Sequence, residues 1–313
     1  MKLAAAFFRL IRWPNLVFII ITQLLFYYCV YEPLLTYAPD QSQIFLFFLL
    51  MLSTVFIAAA GYIINDYFDL QIDVVNKPQR IIIDKFIKRR GAIVWHWILS
   101  GLGLLITLYI SYKTGVWLIS LVNFVCVMLL WFYSVMLKKK LLAGNLVISV
   151  LAAWVILCVY FFTGAGILKW WTEQSGNFNV RRFFKFTLLY AGFAFIMTVI
   201  REVIKDIEDE AGDRKYGCNT MPIAWGVPAS KVFTAVWIIV SIAALGALQM
   251  YAWLSGWWLA AVYVLIFIIA PLIYLLRKLY RAASAADYHR LSTIVKFIML
   301  SGILSMLLLR YPV

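Results

Sequence analysis

The sequence predicts an all-α membrane protein of about nine transmembrane helices. Three observations carry this. The 313 residues are 65% hydrophobic and only 13% charged, with a mean hydropathy of +0.91, too apolar for the surface of a soluble protein of this length. Apolar runs of roughly 20 residues recur, the length an α-helix needs to cross a bilayer. The weak alternating segments of about 10 residues that mark a β-barrel are absent.

Hydropathy and breakers place the spans near 14–37, 44–64, 92–112, 116–137, 142–163, 183–203, 229–252, 256–276 and 291–309. Arg9, Arg12 and Pro14 precede a first span too long for the apolar core of a signal peptide, so no cleavable leader is expected. Short links such as Lys113-Thr114-Gly115 and Ser255-Gly256 join neighbouring spans, whereas 65–91 and 204–228 read as two long connections on one side. No Pro- or Gly-rich linker divides the chain, so residues 1–313 are expected to form a single transmembrane domain.

The net charge of +14 invites a nucleic-acid reading, but the charges sit at span ends. They fit the bilayer instead, and no nucleic-acid partner is expected. If the N-terminus lies inside, the inner segments hold 21 of the 28 Lys and Arg residues. This asymmetry predicts an N-in, C-out protein of the cell (inner) membrane whose long connections face the cytoplasm. Four dispersed cysteines and two distant histidines, His96 and His289, give no zinc signature.

Two acidic segments stand out. Asn65 to Asp73 and Arg201 to Arg214 together hold nine of the 14 acidic residues, each at the end of an apolar run. Asn65, Asp69 and Asp73 are spaced i, i+4, i+8, and Asp206, Asp209 and Asp213 i, i+3, i+7. Each set makes one face of a helix, with Gly212 a candidate helix breaker before Asp213. Clustered carboxylates at a membrane edge are costly without a use. Hard oxygen donors suit Mg2+, which takes one or two carboxylates and completes its shell with water and phosphate. Asp66, Asp84, Glu208 and Glu210 fall off the shared faces and read equally well as solvated charges.

Cations flank both clusters: Lys77 and Arg80 after the first, with Lys85 further on, and Arg201, Lys205 and Arg214 around the second. Arg201, Lys205 and Asp209 share a helical face. Such cations suit a diphosphate. Tyr133 and Lys138-Lys139-Lys140 close the fourth span on the same side and offer further phosphate contacts, although Lys139 and Lys140 read mainly as topology signals. Tyr62, Tyr67, Phe68 and Phe132 lie one turn from the clusters, where core packing is the usual role and facing a cationic intermediate the alternative.

At these residues the chain resembles the UbiA superfamily of intramembrane prenyltransferases. Asn65-xxx-Asp69-xxx-Asp73 matches the family's NxxxDxxxD motif and Asp209-xxx-Asp213 its DxxxD motif, at the expected places in a nine-span count. Within that superfamily, NDYFDLQIDVVNKPQR, REVIKDIEDEAGDRKYGCNTMPIAWG and Tyr133-Ser134-xxx-Lys138 followed by Gly144-Asn145 resemble the digeranylgeranylglyceryl phosphate synthase branch, which builds ether lipids. Two places depart from the family pattern. Ile81-Ile82-Ile83-Asp84-Lys85 stands where Pro-Ile-Pro-Ser-Gly is common, and four residues rather than three separate Tyr133 from Lys138.

The resemblance implies a helical bundle around a central cavity with cytoplasmic cap loops. It implies Mg2+ held by Asp69, Asp73, Asp209 and Asp213, which are then the catalytic residues. A polyprenyl diphosphate donor would be bound by Asn65, Lys77, Arg80, Tyr133, Lys138, Asn145, Arg201, Lys205, Asp206 and Arg214. The acceptor would be a glycerol-phosphate lipid or, as in quinone biosynthesis, an aromatic molecule. A reading from another class is an ion-coupled transporter, but its charges belong near the bilayer midplane rather than at span ends.

Overall fold

Long apolar runs with few internal breakers become long helices. The computed structural model describes residues 2–35, 39–76, 78–163 and 179–310 and, within these, the side chains of all but Lys2 and Arg80. Among the described residues nine helices are long and apolar enough to cross a membrane. A short helix α1 (Lys2–Leu10) precedes the first of them. The spans are α2 (Trp13–Leu34), α3 (Gln41–Asn76), α4 (Arg89–Thr114), α5 (Trp117–Val135), α6 (Ala143–Phe162) and α7 (Val180–Glu208). Two short helices, α8 (Glu210–Lys215) and α9 (Met221–Ala224), lead to the spans α10 (Gly226–Leu254), α11 (Trp258–Arg281) and α12 (Ala285–Leu309). Among the described residues there is no strand, and Ile83 and Ile87 form an isolated bridge. The protein is an all-α membrane protein, with each expected span present.

Helix ends follow local chemistry. Asp40 caps α3 by accepting the Gln43 N–H at 2.8 Å, which satisfies one of the free N–H groups of the first turn. α4 stops at Gly115, which takes φ 73° and returns its N–H to the Ser111 carbonyl, a turn that a residue without Cβ makes cheaply. Ser284 and Asp287 form a reciprocal capping box at the start of α12.

The contacts divide the chain into two compact units. The first comprises residues 1–24, 34–138 and 154–187. In it α3 packs along α4 and α5, and small residues set the spacing. A Cβ on Gly61 would lie 2.8 Å from Leu130, and one on Gly103 would lie 2.7 Å from Ile57. Ser53 Oγ donates to the Gly103 carbonyl at 2.8 Å. Close approach through small residues, with a hydroxyl across the seam, is how helices associate where lipid removes the hydrophobic drive. Ala6, Leu10, Ile63 and Ile83 are buried together in this unit.

The second unit comprises residues 25–33, 139–153 and 188–313. Its core gathers Ile204, Ile238, Leu272, Leu275, Val295 and Ile298. Gly302 lies against the Phe193 ring so closely that a Cβ would meet it at 2.3 Å.

Two expectations about the long connections need correction. Residues 65–76 are not loop, because α3 continues to Asn76. The helix runs on through the carboxylates to Asn76, close to Pro78, before which helical backbone is disfavoured. Nor does Gly212 break the second acidic helix. The break falls at Asp209 (φ −96°, ψ 4°), and Gly212 is buried inside α8. Three consecutive carboxylates, Glu208 to Glu210, repel one another in one helical turn, and the negative charge of Asp209 suits the N-terminus of α8.

Candidate active site

The first cluster lies on the last turns of α3. Asn65, Asp69 and Asp73 are all helical, so the i, i+4, i+8 spacing sets them on one face. Asn65 Nδ2 donates to Asp69 Oδ2 at 2.7 Å, and Lys138 Nζ donates to Asp69 Oδ1. The pair is largely enclosed, with Lys138 10% and Asp69 18% exposed. Lys138 arrives there because α5 ends at Val135 and a tight 3-10 turn, Leu137–Lys139, follows. That turn absorbs the extra residue between Tyr133 and Lys138. Tyr133 is half-buried on the last turn of α5.

Asp66 points elsewhere. Its Oδ1 accepts from Arg12 Nη2 at 2.6 Å, and the Arg12 guanidinium sits 5.3 Å from the centre of the Tyr62 ring. Off the shared face, Asp66 anchors the turn between α1 and α2. Phe68 packs edge-on against Trp131 at 5.8 Å, Tyr67 packs on the buried core, and Phe132 is exposed. Core packing and surface account for these aromatics. Asp84 pairs with Arg89 at 2.7 Å on the surface. Lys77 lies outside the described residues, as does the side chain of Arg80.

The second cluster lies where α7 meets α8. Asp206 Oδ2 accepts from Asn145 Nδ2, on α6, at 2.8 Å. The backbone bonds Asp209 N to Lys205 O (2.9 Å) and Asp213 N to Asp209 O (3.1 Å) preserve the i to i+4 path on both sides of the break, so Asp213 still follows Asp209 by one turn. Arg201 Nη1 and Lys205 Nζ both donate to Glu202, to Oε1 and Oε2, each at 2.8 Å. The expected diphosphate cations are therefore joined through a carboxylate that the motif reading overlooked. Glu202 is 7% exposed, and its place three residues before Lys205 was the available signal. Arg214 bonds Glu210 at 2.6 Å, with Arg214 61% exposed, a pairing worth only about 0.3–0.5 kcal/mol. Glu208 bonds His289 at 3.0 Å. The Asn219 N–H donates to the Lys139 carbonyl at 2.7 Å.

Among the described residues no group of three or more His, Cys, Asp or Glu side chains forms a metal cage. The donor set nonetheless fits magnesium, which needs few protein carboxylates when phosphate and water complete its shell. Asn65 Oδ1, buried and without a hydrogen-bond partner, is a hard oxygen beside Asp69. Such an orphaned acceptor is costly unless a ligand uses it.

Comparisons with known proteins agree with this chemistry. Residues 24–300 match the UbiA prenyltransferase family. The digeranylgeranylglyceryl phosphate synthase of Methanothermobacter thermautotrophicus is 34% identical over 58% of this chain, and the chain spans only 57% of that relative. The protein of the same name from Methanosphaera stadtmanae is 31% identical, over 80% of this chain and 83% of the relative. The structure of a UbiA homolog from Archaeoglobus fulgidus bound to GPP and Mg2+ superposes with a TM-score of 0.60, covering 96% of this chain and 99% of that one at 15% identity, which shows a shared fold. With the acidic helix ends of α3 and α7 and a family match over most of the chain, this protein belongs to the UbiA prenyltransferase family.

Proposed function

We propose that the chain is a prenyltransferase that moves a polyprenyl group, geranylgeranyl, from its diphosphate to the hydroxyl of a glycerol-phosphate lipid. The single observation that supports this most is the α3 helix end, where Asn65, Asp69 and Lys138 form one enclosed set of oxygen acceptors and a cation. The relatives named digeranylgeranylglyceryl phosphate synthase support the acceptor, and the homolog bound to GPP and Mg2+ supports the donor and the ion.

In this reading residues 1–313 act as one catalytic domain. Asp69 and Asp73 on α3 would hold magnesium, with Asn65 on the same helix face, as would Asp209 and Asp213 at the α7–α8 junction, with Asp206 one turn before. Bound magnesium would neutralise the diphosphate and polarise the leaving group. Lys138, Arg201 and Lys205 bind diphosphate oxygens, assisted by Lys77, Arg80, Tyr133 and Arg214, and Asn145 fixes Asp206. The C1–O bond of the donor breaks with its electron pair on the diphosphate. The acceptor oxygen then bonds C1 and loses its proton. Apolar span surfaces exclude water from the allylic cation. In this reading the protein resides in the cell membrane with both acidic ends facing the cytoplasm, which the Lys and Arg asymmetry supports.

The test is magnesium-dependent diphosphate release by purified protein in detergent. Geranylgeranyl diphosphate is the donor, with geranylgeranylglyceryl phosphate or hydroxybenzoate as acceptor. Release with the lipid phosphate alone, lost on chelation, supports the proposal. Release with the aromatic acid alone moves the protein to quinone-type chemistry, and release with neither refutes both.

A further inference from the structure

Near the second cluster, Glu202 has both oxygens committed to cations. It lies on the last two turns of α7, inside the membrane-spanning segment, and is 7% exposed. Oε1 accepts from Arg201 and Oε2 from Lys205, each at 2.8 Å. Both cations are partly enclosed, Arg201 18% and Lys205 26% exposed. Arg201 Nε is buried without a hydrogen-bond partner, and a lysine ammonium has three donors. The trio thus keeps donor capacity beyond what Glu202 takes. Asp206, one residue past Lys205, is held by Asn145 and lies within the electrostatic reach of Glu202, Lys205 and Asp213.

One carboxylate against two cations leaves one net positive charge. Were neutralising a membrane helix the only need, apolar side chains in place of all three would serve better, since buried ion pairs are commonly outperformed by apolar packing. A retained trio next to Asp206 fits a seat for an anion. A site that binds a diphosphate as substrate and must release it as product releases it more slowly the more uncompensated positive charge encloses it.

Resting on the transferase reading above, we propose that Glu202 is a positioning residue that holds Arg201 and Lys205 as one phosphate-binding pair and tempers their charge so that product diphosphate leaves. Removing its charge raises the local charge by one. Diphosphate then binds more tightly while its release slows, so kcat and affinity move in opposite directions. A purely structural role lowers stability and leaves affinity unchanged or weaker.

The experiment measures the Kd of inorganic diphosphate with Mg2+ on the full chain in detergent, together with kcat and thermal stability. For Glu202→Gln the expected result is a Kd at least about five-fold lower, with a reduced kcat and a pre-steady-state burst of prenylated product. Glu202→Asp keeps the charge and stays within about two-fold of wild type. Unchanged or weaker binding by Glu202→Gln overturns the proposal, as does equal tightening in both variants. Should Glu202→Gln not fold, Lys205→Gln, whose remaining Arg201 and Glu202 cancel, is compared with the double variant Lys205→Gln/Glu202→Gln, which restores the net charge of one that the wild-type trio carries. Tighter diphosphate binding by the double variant supports the role and equal binding refutes it. Absence of wild-type turnover with every acceptor would count against the transferase reading, while the affinities would still judge Glu202.

Discussion

Lys138, delivered by the turn after α5, bonds Asp69 on α3, and Asn65 on that helix bonds the other oxygen of the same carboxylate. Both Asp69 oxygens are therefore engaged. In the proposed function an ion held by Asp69 would compete with the Lys138 ammonium, and a phosphate would offer that ammonium another anionic partner.

Lys138→Ala removes that competitor and, in the proposed function, a phosphate contact as well. Half-saturation by Mg2+ should stay the same or fall, while KM for the prenyl diphosphate rises about ten-fold or more, since a charge-assisted contact is worth about 1.5–3 kcal/mol. Titrating diphosphate release against each ligand separately checks this. Lys139→Ala is the comparator. Its side chain is exposed, and its contact with Asn219 runs through the backbone carbonyl, so turnover should stay within about two-fold of wild type, as surface changes usually do. A KM that rose equally in both variants would mean that only the basic character of the turn matters.

Asp69→Asn keeps the side-chain shape but loses the anionic donor. Turnover should fall by at least about 100-fold, beyond the 10–100-fold typical of residues that merely support metal ligands. Chelation of the wild-type protein should abolish diphosphate release, and added Mg2+ should restore it. Activity surviving exhaustive chelation would remove magnesium from the mechanism.

How much of this was legible in the sequence follows from the range of each interaction. Span number and helix type came through because apolar runs and their length are local. The faces of Asn65, Asp69 and Asp73 came through because α3 stays helical to Asn76. Asp66 resisted assignment because its partner, Arg12, is 54 positions away, and no spacing rule reaches that far. The break at Asp209 was misplaced at Gly212 because a glycine is a stronger generic signal than a run of like charges. Glu202 was passed over because it is absent from the motif, although its partners are its immediate neighbour and the residue one turn on.

The Arg12–Asp66 pair should tie α1 to α3. Arg12 is 37% and Asp66 18% exposed, so solvent screens the interaction, and Arg12→Ala should cost about 1–3 kcal/mol, below the fully buried range. Arg12 also sits at φ 51°, a left-handed conformation that costs a residue with Cβ about 1–2 kcal/mol. Arg12→Gly should therefore unfold at a higher temperature than Arg12→Ala, although both lose the ion pair. The order of the two melting temperatures decides whether strain matters at this turn. The double variant Arg12→Ala/Asp66→Asn should lose less stability than the two single changes added together.

Two glycines on α4 should respond to alanine with opposite signs. At Gly101 a Cβ meets nothing within 4 Å, whereas at Gly103 it meets Ile57 Cγ1 at 2.7 Å and the Ser53 carbonyl oxygen at 3.3 Å. Both sit inside one helix, so alanine brings each the same gain in helix propensity, about 0.5–1 kcal/mol. For Gly101→Ala nothing opposes that gain, and the variant should melt at or above the wild-type temperature. For Gly103→Ala the new methyl must push α3 away or move Ile57, while Ser53 Oγ loses its 2.8 Å bond to the Gly103 carbonyl if the helices part. Overpacking costs about 1–3 kcal/mol and outweighs the propensity gain, so this variant should melt several degrees lower. Melting both in the same detergent cancels effects of the micelle. Equal shifts in both variants would mean that α3 and α4 are free to separate at this crossing, and that the small residues there do not set the spacing of the helix that carries Asn65 and Asp69.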